Sequence, residues 1–156
     1  MEDKRESWDS YFMGLAVQVA ARGTCPRRQV GAVLTQSNHL RATGYNGSSS
    51  GQPHCLEVGC LLNEEGRCQR TIHAEANALR DAHPDSLQGS VLWVTDMPCI
   101  NCAKLIACCP LTEVVFLRPY HAHEASEAAD IISAAGIELK HYQPLMEADM
   151  AAVDNT

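Results

Sequence analysis

The chain predicts an α/β fold, a three-layer α/β/α sandwich around a mixed five-stranded sheet. Three observations lead there. An amphipathic helical segment opens the chain, two short β-type runs follow across a polar turn, and after residue 71 helix and strand patterns alternate three times. A hairpin feeding successive right-handed crossovers gives a sheet that is antiparallel at one side and parallel at the other.

Residues 6–22 carry Trp8, Phe12, Leu15 and Val19 at spacings of four, three and four, which predicts one apolar helix face. Gly23 and Pro26 end that helix. Segments 30–35 (VGAVLT) and 39–45 (HLRATGY) read as strands joined through Gln36-Ser37-Asn38, a hairpin. Residues 46–71 are rich in Gly, Ser and Cys and weakly periodic; so long an irregular stretch in a compact domain calls for a function or a cross-link. Helices are then predicted over 73–82, from Pro98 to Pro110, and over 124–135, with strands at 90–95, 113–117 and 137–142. No internal repeat or linker interrupts the pattern. One domain over 6–143 is expected, followed by an acidic tail, 144–156, that frays.

The 46% hydrophobic and 20% charged fractions are those of a globular domain rather than a disordered chain. No apolar run approaches the ~18 residues of a membrane span, and MEDKRESWDS has no apolar core of a signal peptide, so a cytoplasmic protein is expected. The net charge of −7 weighs against a polynucleotide partner, because phosphate neutralisation supplies much of such binding. The one dense basic cluster, Arg27–Arg28 with Arg22 nearby, suits a single phosphate better than a strand; two adjacent arginines also fit a solvated face.

Eight cysteines in a reducing compartment imply metal ligation, catalysis or burial rather than disulfides. Two segments combine into a site. His73-Ala74-Glu75 and Pro98-Cys99-Ile100-Asn101-Cys102 each fall at a predicted helix start, where the dipole favours thiolates. One imidazole and two thiolates leave a tetrahedral zinc ion one open position. Glu75, not needed as a ligand, is placed to shuttle protons. A lone C-x-x-C could instead be a redox pair or half of a structural zinc site, and a lone H-x-E is common on helix surfaces. Together, in this order, they make the H-x-E…P-C-x-x-C signature of zinc deaminases.

CPRRQVGAV, GYNG, PHC, CQRTIHAEANAL and VTDMPCINCAKLI further resemble the deoxycytidylate (dCMP) deaminase family, most of all its bacterial and phage late-competence-type branch, over about Trp8–Gln143. The resemblance implies a cytidine deaminase-like fold and hydrolysis of dCMP to dUMP and ammonia. It implies His73, Cys99 and Cys102 as zinc ligands, Glu75 as proton shuttle, and the Ala74 N–H as donor to the pyrimidine carbonyl. It also places Asn46 on the sugar or base edge and Tyr120 over the ring, with Arg27 and Arg28 as candidates for the phosphate. The resemblance also implies a homo-oligomer, since many family members are hexamers activated by dCTP and inhibited by dTTP; in the segment GYNGSSSG, Ser49 stands where that family usually has proline.

Cys25, Cys55, Cys60 and Cys68 also match cysteines of this branch, and four thiolates can close a structural zinc site that would order residues 46–71. His54 is a competing ligand, and plain burial of these cysteines is the alternative. Cys108 and Cys109 read as packing residues, and His121 and His123 as exposed histidines. Rival functions are a deaminase acting on another nucleotide or on RNA, such as tRNA adenosine, and a zinc-stapled binding protein with an idle site.

Overall fold

In the computed structural model, which describes residues 3–119 and 123–144, the sheet is organised around β1 (Gly31–Gln36). Five of its six residues are buried, as expected of a strand covered on both faces. It pairs antiparallel with β2 (His39–Tyr45) and with β5 (Val91–Asp96). Ser37 and Asn38 turn the hairpin with φ of 51° and 59°, the left-handed pair that a two-residue connection demands.

From β5 the chain runs through α4 (Ile100–Ala107), β6 (Glu113–Arg118), α5 (His123–Ala134) and β7 (Glu138–His141). Those three strands are parallel, and the order is β2-β1-β5-β6-β7. The mixed five-stranded sheet is therefore the one the alternation predicts. Period-two alternation sends Ala32, Leu34, Leu92, Val94 and Val114 to one face, against α3 (Ala74–Asp81), α4 and α5. Val33, Trp93 and Val115 face the other way, against α1 (Trp8–Ala20). Buried polar groups between strands are satisfied: Trp93 Nε1 donates to Thr35 Oγ1 at 2.9 Å, and Gly31 N donates to Thr95 Oγ1 at 3.1 Å.

Two glycines set how closely the helices approach. A Cβ on Gly31 would lie 2.1 Å from the Ala16 carbonyl oxygen of α1; one on Gly44 would lie 2.3 Å from that of Ala74 in α3. Only a residue without Cβ allows either contact.

The structure corrects two sequence expectations. The buried face of α1 is Phe12, Met13, Ala16 and Ala20, with Leu15 and Val19 at its edge and Trp8 53% exposed. The helix is rotated because a wide tryptophan stacks on Phe12 at the rim while small Ala16 and Ala20 sit nearest the sheet. Residues 46–71 are not featureless either. Gly47–Ser48 (β3) pairs with Thr71–Ile72 (β4), Cys55–Val58 forms α2, and Leu62 bridges Cys68. The tail beyond residue 144 lies outside the described residues.

Candidate metal centre and substrate cavity

Two helices begin at one point, the carboxyl end of β5. His73 is the N-cap of α3 and Cys99 the N-cap of α4, in both cases with extended backbone before the first turn. The Cys99 thiol takes the capping role, accepting from Cys102 N at 3.5 Å. His73 Nδ1 then lies 3.5 Å from Cys99 Sγ and 3.4 Å from Cys102 Sγ. Zinc bonds of about 2.3 Å to sulfur and 2.0–2.1 Å to nitrogen put tetrahedral N···S edges at roughly 3.6 Å. The donor set fits zinc in type and spacing.

The charges of these groups in the metal-free protein are mutually set. A hydrogen bond from the Cys102 thiol, supported by His73, draws Cys99 down to about 3. The same contact with Cys99, with burial, pushes Cys102 far above the ordinary thiol range. His73 is raised, chiefly by its hydrogen bond to Cys99. Metal binding must therefore displace the Cys102 proton. Glu75, only 4% exposed, is pushed up to about 7 by burial. Such a carboxyl can both take and return a proton near neutrality.

His73, Glu75 and Cys99 line a cavity of about 380 Å³, within the range of small-molecule sites. Its floor includes Ala74, whose N–H belongs to the first turn of α3 and so has no intrahelical acceptor. Arg27, Arg28 and Arg67 stand at its walls. Arg27 Nη1 donates to Gly66 O at 2.9 Å. Arg28 Nη2 donates to Asp96 Oδ1 at 3.1 Å, and Arg118 holds the same buried carboxylate through Nε at 2.6 Å and Nη2 at 3.2 Å.

Asn46 also lines the cavity, but its amide is engaged with the chain. Oδ1 accepts from Val30 N at 2.8 Å and Nδ2 donates to Arg28 O at 2.8 Å. It fixes the arginine-bearing loop, with one N–H left to offer a ligand. Tyr120 lies outside the described residues, as do His121 and the His123 side chain.

The upstream cysteines also converge. Sγ atoms of Cys25, Cys55 and Cys60 lie within 4.8 Å of one another. Cys25 and Cys60 are 3.7 Å apart, and Cys55 and Cys68 3.6 Å, near the ~3.8 Å edge of a zinc–thiolate tetrahedron. Burial, then Cys68, pushes the Cys55 thiol up to about 12. Burial also acts against the Cys68 thiolate, yet N–H groups of Arg70 and Thr71 outweigh it and bring Cys68 down to about 6. His54 is the N-cap of α2, its Nδ1 buried without a hydrogen-bond partner among the described residues, and it is outside the cluster. Of the last two cysteines, Cys109 packs against the core, but Cys108 is exposed because it caps the end of α4.

Asp96, Arg67 and Arg118 were not singled out from the sequence. A carboxylate ending the apolar run VLWVT signals Asp96. Nothing local marks Arg67 or Arg118, since their roles depend on partners 57 and 22 residues away.

The family model for the cytidine and deoxycytidylate deaminase zinc-binding region matches residues 6–118. ComE operon protein 2 of Bacillus subtilis is 35% identical over 142 residues, covering 90% of this chain and 74% of its own. The deoxycytidylate deaminase of Schizosaccharomyces pombe is 37% identical over 148 residues, and the chain spans under half of it, 45%. The crystal structure of dCMP deaminase from cyanophage S-TIM5, in complex with dCMP and dUMP, superposes with a TM-score of 0.71 at 25% identity, covering 91% of this chain and 99% of that one. With the zinc-binding region matched over residues 6–118 and a relative 35% identical over 90% of its length, the chain belongs to the cytidine and deoxycytidylate deaminase family.

Proposed function

We propose that the protein hydrolyses dCMP to dUMP and ammonia. The observation that carries this reading is the His73–Cys99–Cys102 donor set opening, through His73 and Cys99, onto one cavity that buried Glu75 and three arginines also line. The first half is deaminase chemistry; the second suits a monophosphate. The relatives named deoxycytidylate deaminase support the same substrate.

His73, Cys99 and Cys102 would hold zinc, which supplies the Lewis acidity that makes water reactive near neutral pH. The Glu75 carboxylate accepts a proton from the attacking water and delivers it to ring N3 of cytosine. It then carries a second proton to the exocyclic amino group, which leaves as ammonia. The water oxygen remains as the C4 carbonyl of dUMP, so atoms balance without a redox partner. The Ala74 N–H holds the pyrimidine carbonyl, and Arg27 and Arg28 receive the phosphate. Cys25, Cys55, Cys60 and Cys68 hold a second, structural zinc that fixes the loop forming one wall of the cavity. No helix among the described residues is long and apolar enough to cross a membrane; a cytoplasmic enzyme working as a homo-oligomer fits the family, with dCTP and dTTP as candidate effectors.

Ammonia release across dCMP, CMP, deoxycytidine, dCTP and an RNA hairpin tests the assignment. Preference for dCMP is expected, and preference for any other substrate overturns it.

A further inference from the structure

The segment between Leu61 and Gln69 is a small hairpin of its own. Gln69 N donates to Leu61 O at 2.7 Å, Asn63 N to Arg67 O at 2.9 Å, and Asn63 Oδ1 accepts from both Glu65 N and Arg67 N. The upstream cysteine cluster anchors both legs, through Cys60 before it and Cys68 within it. Its tip, Gly66 and Arg67, lines the same cavity as His73 and Cys99. Arg27 reaches across to Gly66 O and ties the tip to the loop that precedes β1.

Arg67 has a competing carboxylate. Its Nη2 meets Glu124 Oε1, in the first turn of α5, and its Nε lies 3.6 Å from Glu65. The Arg67 and Glu124 side chains are 48% and 32% exposed, so this ion pair is a weak and exchangeable one. A phosphate dianion offers a guanidinium two charges and bidentate geometry, which a single half-exposed carboxylate cannot match. In a chain of net charge −7 with only 12 Lys and Arg, three arginines around one cavity mark where an anion is taken.

We infer that Arg67 is a specificity-determining residue, which leaves Glu124 to grip the 5′-phosphate of the nucleotide and so selects monophosphate over nucleoside. This rests on the substrate reading above. The metal-anchored hairpin then has a reason to exist in the fold. It holds a guanidinium rigidly at the cavity that His73, Glu75 and Cys99 also line.

The test is the ratio of kcat/KM for dCMP to that for deoxycytidine in the zinc-loaded full chain. Arg67→Gln should lower the ratio about 10- to 100-fold, the worth of a charge-assisted hydrogen bond to phosphate. Arg67→Lys should restore part of it. Glu124→Gln removes one competing carboxylate and should lower KM for dCMP while kcat is kept. Zinc content and melting temperature, measured on each variant, identify any that fails to fold. A ratio unchanged in a folded Arg67→Gln overturns the inference alone, as does a Glu124→Gln that raises KM for dCMP, which would make the pair a strut. A wild type without preference for dCMP overturns the substrate reading and this inference together.

Discussion

Replacing Gly44 by alanine should damage catalysis through the backbone, without touching any side chain of the site. Gly44 is buried in β2, directly under α3. An added Cβ would lie 2.3 Å from Ala74 O and 2.5 Å from Ala78 N, both backbone atoms of a helix that cannot rotate away. Ordinary non-bonded separations begin near 3.5 Å, so α3 must move by roughly 1 Å. Overpacking of that kind costs about 1–3 kcal/mol. α3 is capped by His73 and carries Ala74 and Glu75, so the same displacement shifts the candidate metal donor and the proposed proton carrier together. A misplacement of about 1 Å is worth roughly 100-fold in rate. Urea denaturation, zinc content and kcat/KM should show a destabilised, metal-poor and slow enzyme. Gly14→Ala is the control. Gly14 is exposed inside α1 with nothing within 4 Å of its added Cβ, and alanine there should stabilise by about 0.8–1.0 kcal/mol with full activity. A Gly44→Ala protein as stable and as fast as wild type would refute the close-packing account of how the site is held.

Glu75→Gln should keep its zinc and lose turnover; a variant with unimpaired turnover contradicts the proton-carrier role. In the metal-free protein the same variant has a stability signature. Burial raises Glu75 from 4.5 to about 7, so the native state binds that proton more tightly than the unfolded chain. Its contribution is fully present below pH 4.5 and lost as pH rises through 7, a fall of about 3 kcal/mol that Gln should abolish; parallel pH–stability curves would count against it. Elemental analysis should give two zinc ions per chain, falling to one in Cys68→Ser, and one ion in the wild type would remove the structural site. Asp96→Asn should cost about 1–3 kcal/mol by urea melts, since a buried carboxylate bound by Arg118 and Arg28 loses its charge; a neutral outcome would make that network dispensable.

The sheet was legible because its strands obey local rules. VGAVLT and VLWVT are β-branched and apolar, and two residues between β1 and β2 admit only a hairpin. The candidate donors Cys99 and Cys102 were legible for the same reason, being three positions apart at a helix start, and His73 was marked by its own H-x-E motif. Errors came where packing overrode periodicity. Trp8 fits the predicted stripe of α1 by spacing, but Gly31 admits the small face of Ala16 and Ala20, and the large ring is left at the rim. Within 46–71 the cysteines signalled a cross-link, but the short elements β3, α2 and β4 were hidden, because runs of two to four residues carry no apolar period to announce them.

The same distinction explains why catalysis and selectivity differ in how they are encoded. Deamination needs four groups at fixed short range, so the chain places them at two helix starts, each marked by a short motif, at 73–75 and 98–102. Selecting a phosphate needs a cation several ångströms away on an independent wall. That wall must be rigid, yet residues 61–69 have no apolar core to stiffen them: Leu61 and Leu62 are 53% and 50% exposed. Zinc held by the upstream cysteines, as proposed, would supply the missing rigidity, since metal ligation contributes folding energy that such a segment cannot draw from burial. Loss of the structural zinc should therefore raise KM for dCMP before it lowers kcat, because His73, Cys99, Cys102 and Glu75 are held by the sheet and helices and not by the hairpin. Titrating a mild chelator against the full enzyme, with both constants followed, separates the two walls; a kcat that falls first would show that the cysteine cluster supports the reacting groups themselves.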